Sequence, residues 1–208
     1  MPEKREFLEA IQESLFGFFM GTKEKEDKMK YIKPKYIFPF SGGGFGTCRP
    51  PAKEEVRDAI LSHAKKHHQI MHGSFALREQ IKPYGRTPHD IDILTNNPRH
   101  HMDKMEDKLD LMAGCDAFDE VIMPIIGKEG EYVYKVVKKT FGPDKDVVDY
   151  FKMQKGIKTV TIKGVRYEDW KTAKRRLQQI VSNPELRHRH GKAVDDLRRI
   201  EAYERSLK

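Results

Sequence analysis

Apolar side chains recur at three- and four-residue intervals along residues 3–20 (Phe7, Leu8, Ile11, Leu15, then Phe18 or Phe19), which predicts an amphipathic helix ended by Gly21 and Thr22. Residues 22–35 are highly charged, carry no stripe and read as a linker. Residues 31–40 alternate loosely and contain Pro34 and Pro39, as an edge strand or extended arm would. The glycine-rich run Ser41–Thr47 follows; it lacks the Gly-Lys-Ser/Thr of a P-loop and reads as a hinge or lid. From Lys53 to about His67 a helix is expected, with Val56, Ile60, Leu61 and Ala64 as its buried stripe. A further helix is expected over Pro98–Ala113, with Met102, Met105, Leu109 and Met112 on one face. Strands are expected at Phe118–Ile126 and Tyr132–Lys138, joined by a Gly-containing turn, at Val147–Phe151, and in a closing hairpin of Thr159–Ile162 and Val165–Tyr167. Helices over 169–182 and from Pro184 to Ser206 complete the chain, the last with Ala193, Leu197 and Ile200 inward. The predicted class is α/β: a small mixed sheet with helices on one face, then a helical module. The chain divides as an N-terminal helix and arm over 1–52, a core over 53–167 and a basic C-terminal module over 168–208.

Composition narrows this picture. The chain has 208 residues, 38% hydrophobic and 35% charged, which suits a soluble globular protein. No run approaches the ~18 apolar residues of a membrane span. The apolar segment Ser14–Met20 follows Glu6, Glu9 and Glu13 and lacks the basic lead-in of a signal peptide. Cys48 and Cys115 have no metal-ligand spacing and read as unpaired thiols, which makes a cytoplasmic location the expectation. The net charge is +8, and residues 155–208 alone hold 15 Lys/Arg against 7 Asp/Glu. A localised basic surface attracts polyanions. His67-His68 does not read as a metal site, because adjacent residues do not share a helix face.

The candidate chemistry lies between His72 and Leu94. Gly73 allows close backbone approach, and Ser74 can cap a helix over Phe75–Gln80 whose free N–H groups suit phosphate. In Asp90-Ile91-Asp92-Ile93 alternate side chains share a strand face, so the two acids point one way and the isoleucines into the core. Paired carboxylates need a cation, and Mg²⁺ is commonly held by one or two carboxylates plus substrate phosphates. His72 would lie at the mouth of this site.

The Gly73-Ser74 turn and the Asp90-x-Asp92 strand together resemble the signature of the DNA polymerase beta-like nucleotidyltransferases. Gly-Ser-x-Ala-Leu from Gly73 and Arg-Thr-x-x-Asp-Ile-Asp from Arg86 are most similar to toxin-type members of abortive-infection systems and to related viral or mobile-element proteins. Fifteen residues separate Ser74 from Asp90, more than in compact members. The resemblance implies a nucleotidyltransferase-like fold and transfer of a nucleoside monophosphate from an NTP to a hydroxyl. It implies two Mg²⁺ ions, with Mn²⁺ as a substitute, on Asp90, Asp92 and a third carboxylate from a neighbouring strand. Asp149 fits that third role and Asp146 competes; three residues apart on a strand they should face opposite ways, so only one should join. Gly73 and Ser74 would cradle the triphosphate, and Arg86 would brace the acid strand or touch phosphate. Lys192, with Asp196 and Leu197, matches a C-terminal family pattern in which the lysine reaches the triphosphate and the acid orients it. Arg187 and Arg189 are candidates for nucleic-acid contact. The basic C-terminal quarter favours an RNA 3′ end, tRNA-like, as acceptor. A small molecule or protein acceptor, or an inactive nucleic-acid-binding or structural protein keeping the fold, are the alternatives; an antitoxin is the partner a toxin would have.

Overall fold

The computed structural model describes residues 48–125, 128–139 and 146–208. The helix expected over 3–20, the charged linker, the arm over 31–40, the Gly-rich run to Thr47 and the Gly142–Asp144 turn lie outside them. In chain order the elements are α1 (Lys53–Lys66), β1 (Ile70–His72), α2 (Gly73–Gln80), β2 (Ile91–Thr95), α3 (Pro98–Ala113), β3 (Phe118–Pro124), β4 (Tyr132–Lys138), β5 (Asp146–Lys152), β6 (Thr159–Ile162), β7 (Val165–Glu168), α4 (Trp170–Ser182), a 3₁₀ segment (Pro184–Arg189) and α5 (His190–Ser206). The expected final helix therefore starts as a 3₁₀ turn, with Asn183 accepting from the Glu185 N–H at 3.0 Å and Pro184 in its first turn.

The strands form one mixed sheet in the order β3-β4-β5-β2-β1-β7-β6. β1 runs antiparallel to β2 and parallel to β7, and β2 is parallel to β5. The period-two rule holds in β2: Ile91 and Ile93 are buried in the main core. They share it with Val148 and Tyr150 of β5, Val56 and Ile60 of α1, and Met102, Met105 and Leu109 of α3. Removing each such aliphatic side chain from water contributes roughly 1.5–3 kcal/mol. The face bearing Asp92 and Asp149 is turned away from this core. A second cluster joins Leu77 and Ile81 of α2 to Leu177 and Ile180 of α4 and to Ala193 and Ile200 of α5. The basic C-terminal helices thus pack on α2, the helix that starts at Gly73.

α3 runs between Asn97, whose side chain caps the His100 N–H, and Gly114, whose left-handed backbone (φ 69°) stops it. Past that stop the chain corrects one expectation. Cys48 and Cys115 are not unpaired thiols but form a disulfide with Cα atoms 5.3 Å apart. The Arg49 N–H donates to the Ala113 carbonyl and brings the two together across 67 residues, a proximity that spacing alone does not reveal.

A histidine cluster also joins α1 to α3. His63 of α1 and His67, the residue that follows α1, meet His101 of α3. His63 Nε2 and His101 Nδ1 share a 3.1 Å hydrogen bond, and the His67 ring lies 4.4 Å from that of His63. Burial and the neighbouring imidazoles hold His63 at about 4.

Candidate active site

Gly73 has φ +65°, and a Cβ there would lie 2.1 Å from Asp92 Oδ2. The glycine serves both the turn into α2 and the space occupied by a carboxylate. The helix starts at Gly73 itself, and its N-cap is His72, without a side-chain capping bond. Ser74 does not cap it; the buried Ser74 Oγ instead donates to Asp196 Oδ2 at 3.2 Å.

The acids converge on one face of the sheet. β2 begins at Ile91, so Asp90 lies just ahead of it, and Asp92 pairs in register with Asp149 of β5. Carboxylate oxygens of Asp90, Asp146 and Asp149 lie within 4.8 Å of one another. This overturns the expectation that only one of Asp146 and Asp149 can join. Along β4, Val136 pairs with Val148 but Val137 pairs with Asp146, which leaves Val147 as an extra residue on β5. That bulge breaks the alternation and brings Asp146 round to the Asp149 side. The two differ in depth, with the Asp146 side chain 45% exposed and that of Asp149 8%.

Burial, and then the neighbouring Asp90, raise Asp92 to about 6, while His72 and Lys192 pull the other way. Burial likewise raises Asp149 to about 6 against the opposing pull of Lys135. Lys135 Nζ lies 2.9 Å from Asp149 Oδ2 and also bonds Asp146. Lys135 and Asp149 are directly opposed across the antiparallel pair β4–β5. Asp149 Oδ1 is buried and has no hydrogen-bond partner among the described residues. A carboxylate cluster with an orphaned buried oxygen suits a hard divalent cation.

Two further networks frame the acids. His72, opposite Asp92 on β1, donates from Nδ1 to Glu168 Oε2 at 2.8 Å. Arg176 of α4 holds both Glu168 oxygens, at 3.2 and 3.0 Å. Burial alone would raise Glu168, but the bonds to His72 and Arg176 win and keep it at about 2. The other network centres on buried Asp196 of α5. It accepts from Ser74, from Tyr84 OH at 2.8 Å and from Arg199 at 3.2 Å, and Arg86 stands 3.5 Å away. Arg86 therefore reaches α5 rather than bracing the acid strand, and Asp196 engages these four groups. Lys192, one turn before Asp196 on α5, is solvent-exposed and acts on Asp92 through its charge. Arg187 and Arg189 lie exposed on the 3₁₀ segment, the turn that leads into α5.

Lys135, Glu168 and Tyr84 are members of this constellation that sequence reasoning did not single out. Lys135 had a signal: it lies one residue from fully buried Val136 and so faces the opposite side of the sheet. Glu168 and Tyr84 had none, since their partners lie 96 and 112 residues away.

No family model and no curated protein matches this chain. Among solved structures, the chain is similar to the crystal structure of the Megavirus polyadenylate synthase, with a TM-score of 0.55 and 18% identity. The fold is nucleotidyltransferase-like. The match covers 73% of this chain and 31% of the viral one, so the chain spans under a third of that protein's length. The likeness is one of fold and does not single out the toxin-type members. No helix of the described residues is long and apolar enough to cross a membrane.

Proposed function

We propose that this chain is a divalent-metal-dependent nucleotidyltransferase that moves a nucleoside monophosphate from an NTP to a hydroxyl, preferably the 3′ end of an RNA such as a tRNA. The observation that carries this reading is the grouping of the Asp90, Asp146 and Asp149 carboxylates, with Asp92 in register with Asp149 and against the Gly73 turn, and with one buried Asp149 oxygen that has no partner among the described residues. The polyadenylate synthase fold supports it. Asp90, Asp92 and Asp149 would hold the Mg²⁺ ions, or Mn²⁺ in their place, with Asp146 at the rim. Bound there, the metal supplies neutralisation of phosphate charge and acidification of the attacking hydroxyl.

The chain's own residues do the rest. Asp149, held at about 6, takes the proton of the acceptor hydroxyl near neutral pH. The hydroxyl oxygen bonds to the α-phosphorus, the bond from that phosphorus to the bridging oxygen breaks, and pyrophosphate leaves. Free N–H groups at the start of α2, at Gly73 and Ser74, face the β- and γ-phosphates. Lys192 and Arg86 add positive charge where negative charge accumulates on the leaving group. Arg187 and Arg189 contact the nucleic acid. A role as a toxin with an antitoxin partner, or as a viral or mobile-element enzyme, rests on the sequence resemblance; the expectation of a cytoplasmic location rests on unpaired thiols, which the Cys48–Cys115 disulfide removes.

The test is incubation with each α-labelled NTP, Mg²⁺ and total RNA, beside Asp90→Asn and Asp149→Asn proteins. Label enters RNA with the parent and falls by about 100-fold or more in either variant. Label that appears only on a small molecule or on protein moves the acceptor to that class. Equal labelling by parent and variants refutes the reading.

A further inference from the structure

We propose that a cleft beside the acid cluster grips the phosphodiester backbone of the acceptor strand, upstream of the hydroxyl that reacts. The cleft holds about 300 Å³ and is lined by Arg78, Lys82, Tyr84, Gly85, Arg86 and Thr87. Three of these are cations and none is an acid. Among the described residues, neither Arg78 nor Lys82 makes an ion pair, whereas Arg86 faces Asp196. Two lining cations without counter-charge, Arg78 and Lys82, raise the local concentration of anions in the cleft. The volume exceeds what one ordered ion fills, since a water takes about 30 Å³.

Its position argues for a strand that also reaches the acids. Ser74 and Arg78 are four residues apart on α2 and share a helix face, and Lys82 follows at the same interval just past the helix end. At about 1.5 Å per residue, Arg78 lies roughly 6 Å along α2 from Ser74. On the facing helix α5, Lys192 acts on Asp92, Asp196 bonds Ser74 and Tyr84, and Arg199 lies over the Tyr84 ring at 5.5 Å. On α5, positive charge thus stands near Asp92 (Lys192) and near the cleft residue Tyr84 (Arg199), with Asp196 between them. A chain bearing one negative charge per nucleotide can meet cations spaced apart in this way, at Lys192 and at Arg78 and Lys82, and a single small-molecule acceptor does not.

This inference rests on the proposed transferase reading for the word acceptor, but its test does not need transfer. Binding of single-stranded RNA is measured as a function of salt in an Asp90→Asn background, with and without Arg78→Gln plus Lys82→Gln. Losing two phosphate contacts should weaken binding by about tenfold or more at moderate salt. It should also flatten the slope of log K against log[salt] by about 1.4, as expected for two single-strand contacts. In the active protein the same pair should raise KM for RNA and leave KM for the NTP unchanged. Lys82→Gln alone alters an exposed side chain and gives half the slope change without risk to the fold. Single-stranded DNA in a parallel arm tells whether the grip is on the backbone common to both or needs the 2′-hydroxyl. Unchanged affinity and slope in the double variant overturn the inference, as does a rise in KM for the NTP alone, which would make the cleft a triphosphate pocket. Reduced RNA binding in a protein that transfers nothing leaves the cleft standing and removes the transferase reading.

Discussion

Gly73 and Lys135 show how single residues set the character of the site. A side chain at Gly73 would collide with Asp92, so backbone freedom and carboxylate placement are one requirement. Lys135 supplies the countercharge that lets Asp149 sit 8% exposed among other acids. Breaking a buried ion pair from one side leaves the other charge uncompensated. Lys135→Met should therefore lower metal-free stability by about 3 kcal/mol. Mn²⁺ should then raise the melting temperature more in this variant than in the parent, because the ion replaces the lost charge. Equal Mn²⁺ shifts in the two proteins would show that Lys135 and a cation do not share this position.

Elements contribute through the way they break their own rules. The extra residue Val147 in β5 turns Asp146 toward the acids, and the left-handed Gly114 stops α3 where Cys115 can meet Cys48. Between α1 and α3 the histidines give acid sensitivity of a definite sign. His63 titrates near 6.5 when unfolded and near 4 when folded, so its neutral form is the one the fold accepts. Its contribution is complete above pH 6.5 and is lost as the pH falls through 4. The raised Asp92 and Asp149 act oppositely, since protonating them relieves the folded state as the pH falls through 6. Unfolding free energies from urea titrations between pH 7.5 and 4 should change more favourably on acidification for His63→Gln than for the parent, by about 2 kcal/mol over the window. Parallel curves would show that His63 accepts a proton without cost.

At the scale of the whole molecule, Asp196 is the joint between α5 and α2. Its carboxylate gathers Ser74, Tyr84 and Arg199, with Arg86 at 3.5 Å, and thereby fixes where Lys192 stands. Asp196→Ala strands two guanidinium groups and two hydroxyls at a buried position. The expected loss is about 3–5 kcal/mol in a denaturant titration, with Asp196→Asn losing less because an amide oxygen still accepts. An alanine variant as stable as the parent would mean that the helices are joined by the apolar contacts of Leu77, Ile81, Ile180 and Ile200 alone.

Much of this was legible along the chain. The helices and strands of the described residues follow their periodicities, because burial of one face imposes a repeat of 3.6 or 2 on the residues themselves. Gly73, Asp90 and Asp92 were readable because they fall within one short segment, where local geometry decides which way side chains point. The joining of Asp146 to Asp149 depended on a bulge that exists only relative to β4. The bonds of Asp196 to Ser74, of Glu168 to His72 and of Cys48 to Cys115 span 122, 96 and 67 residues. Periodicity and turn chemistry are short-range and leave their trace in neighbouring letters. Countercharge, disulfide pairing and the cleft beside α2 arise where distant segments pack, and only the tertiary structure could decide them.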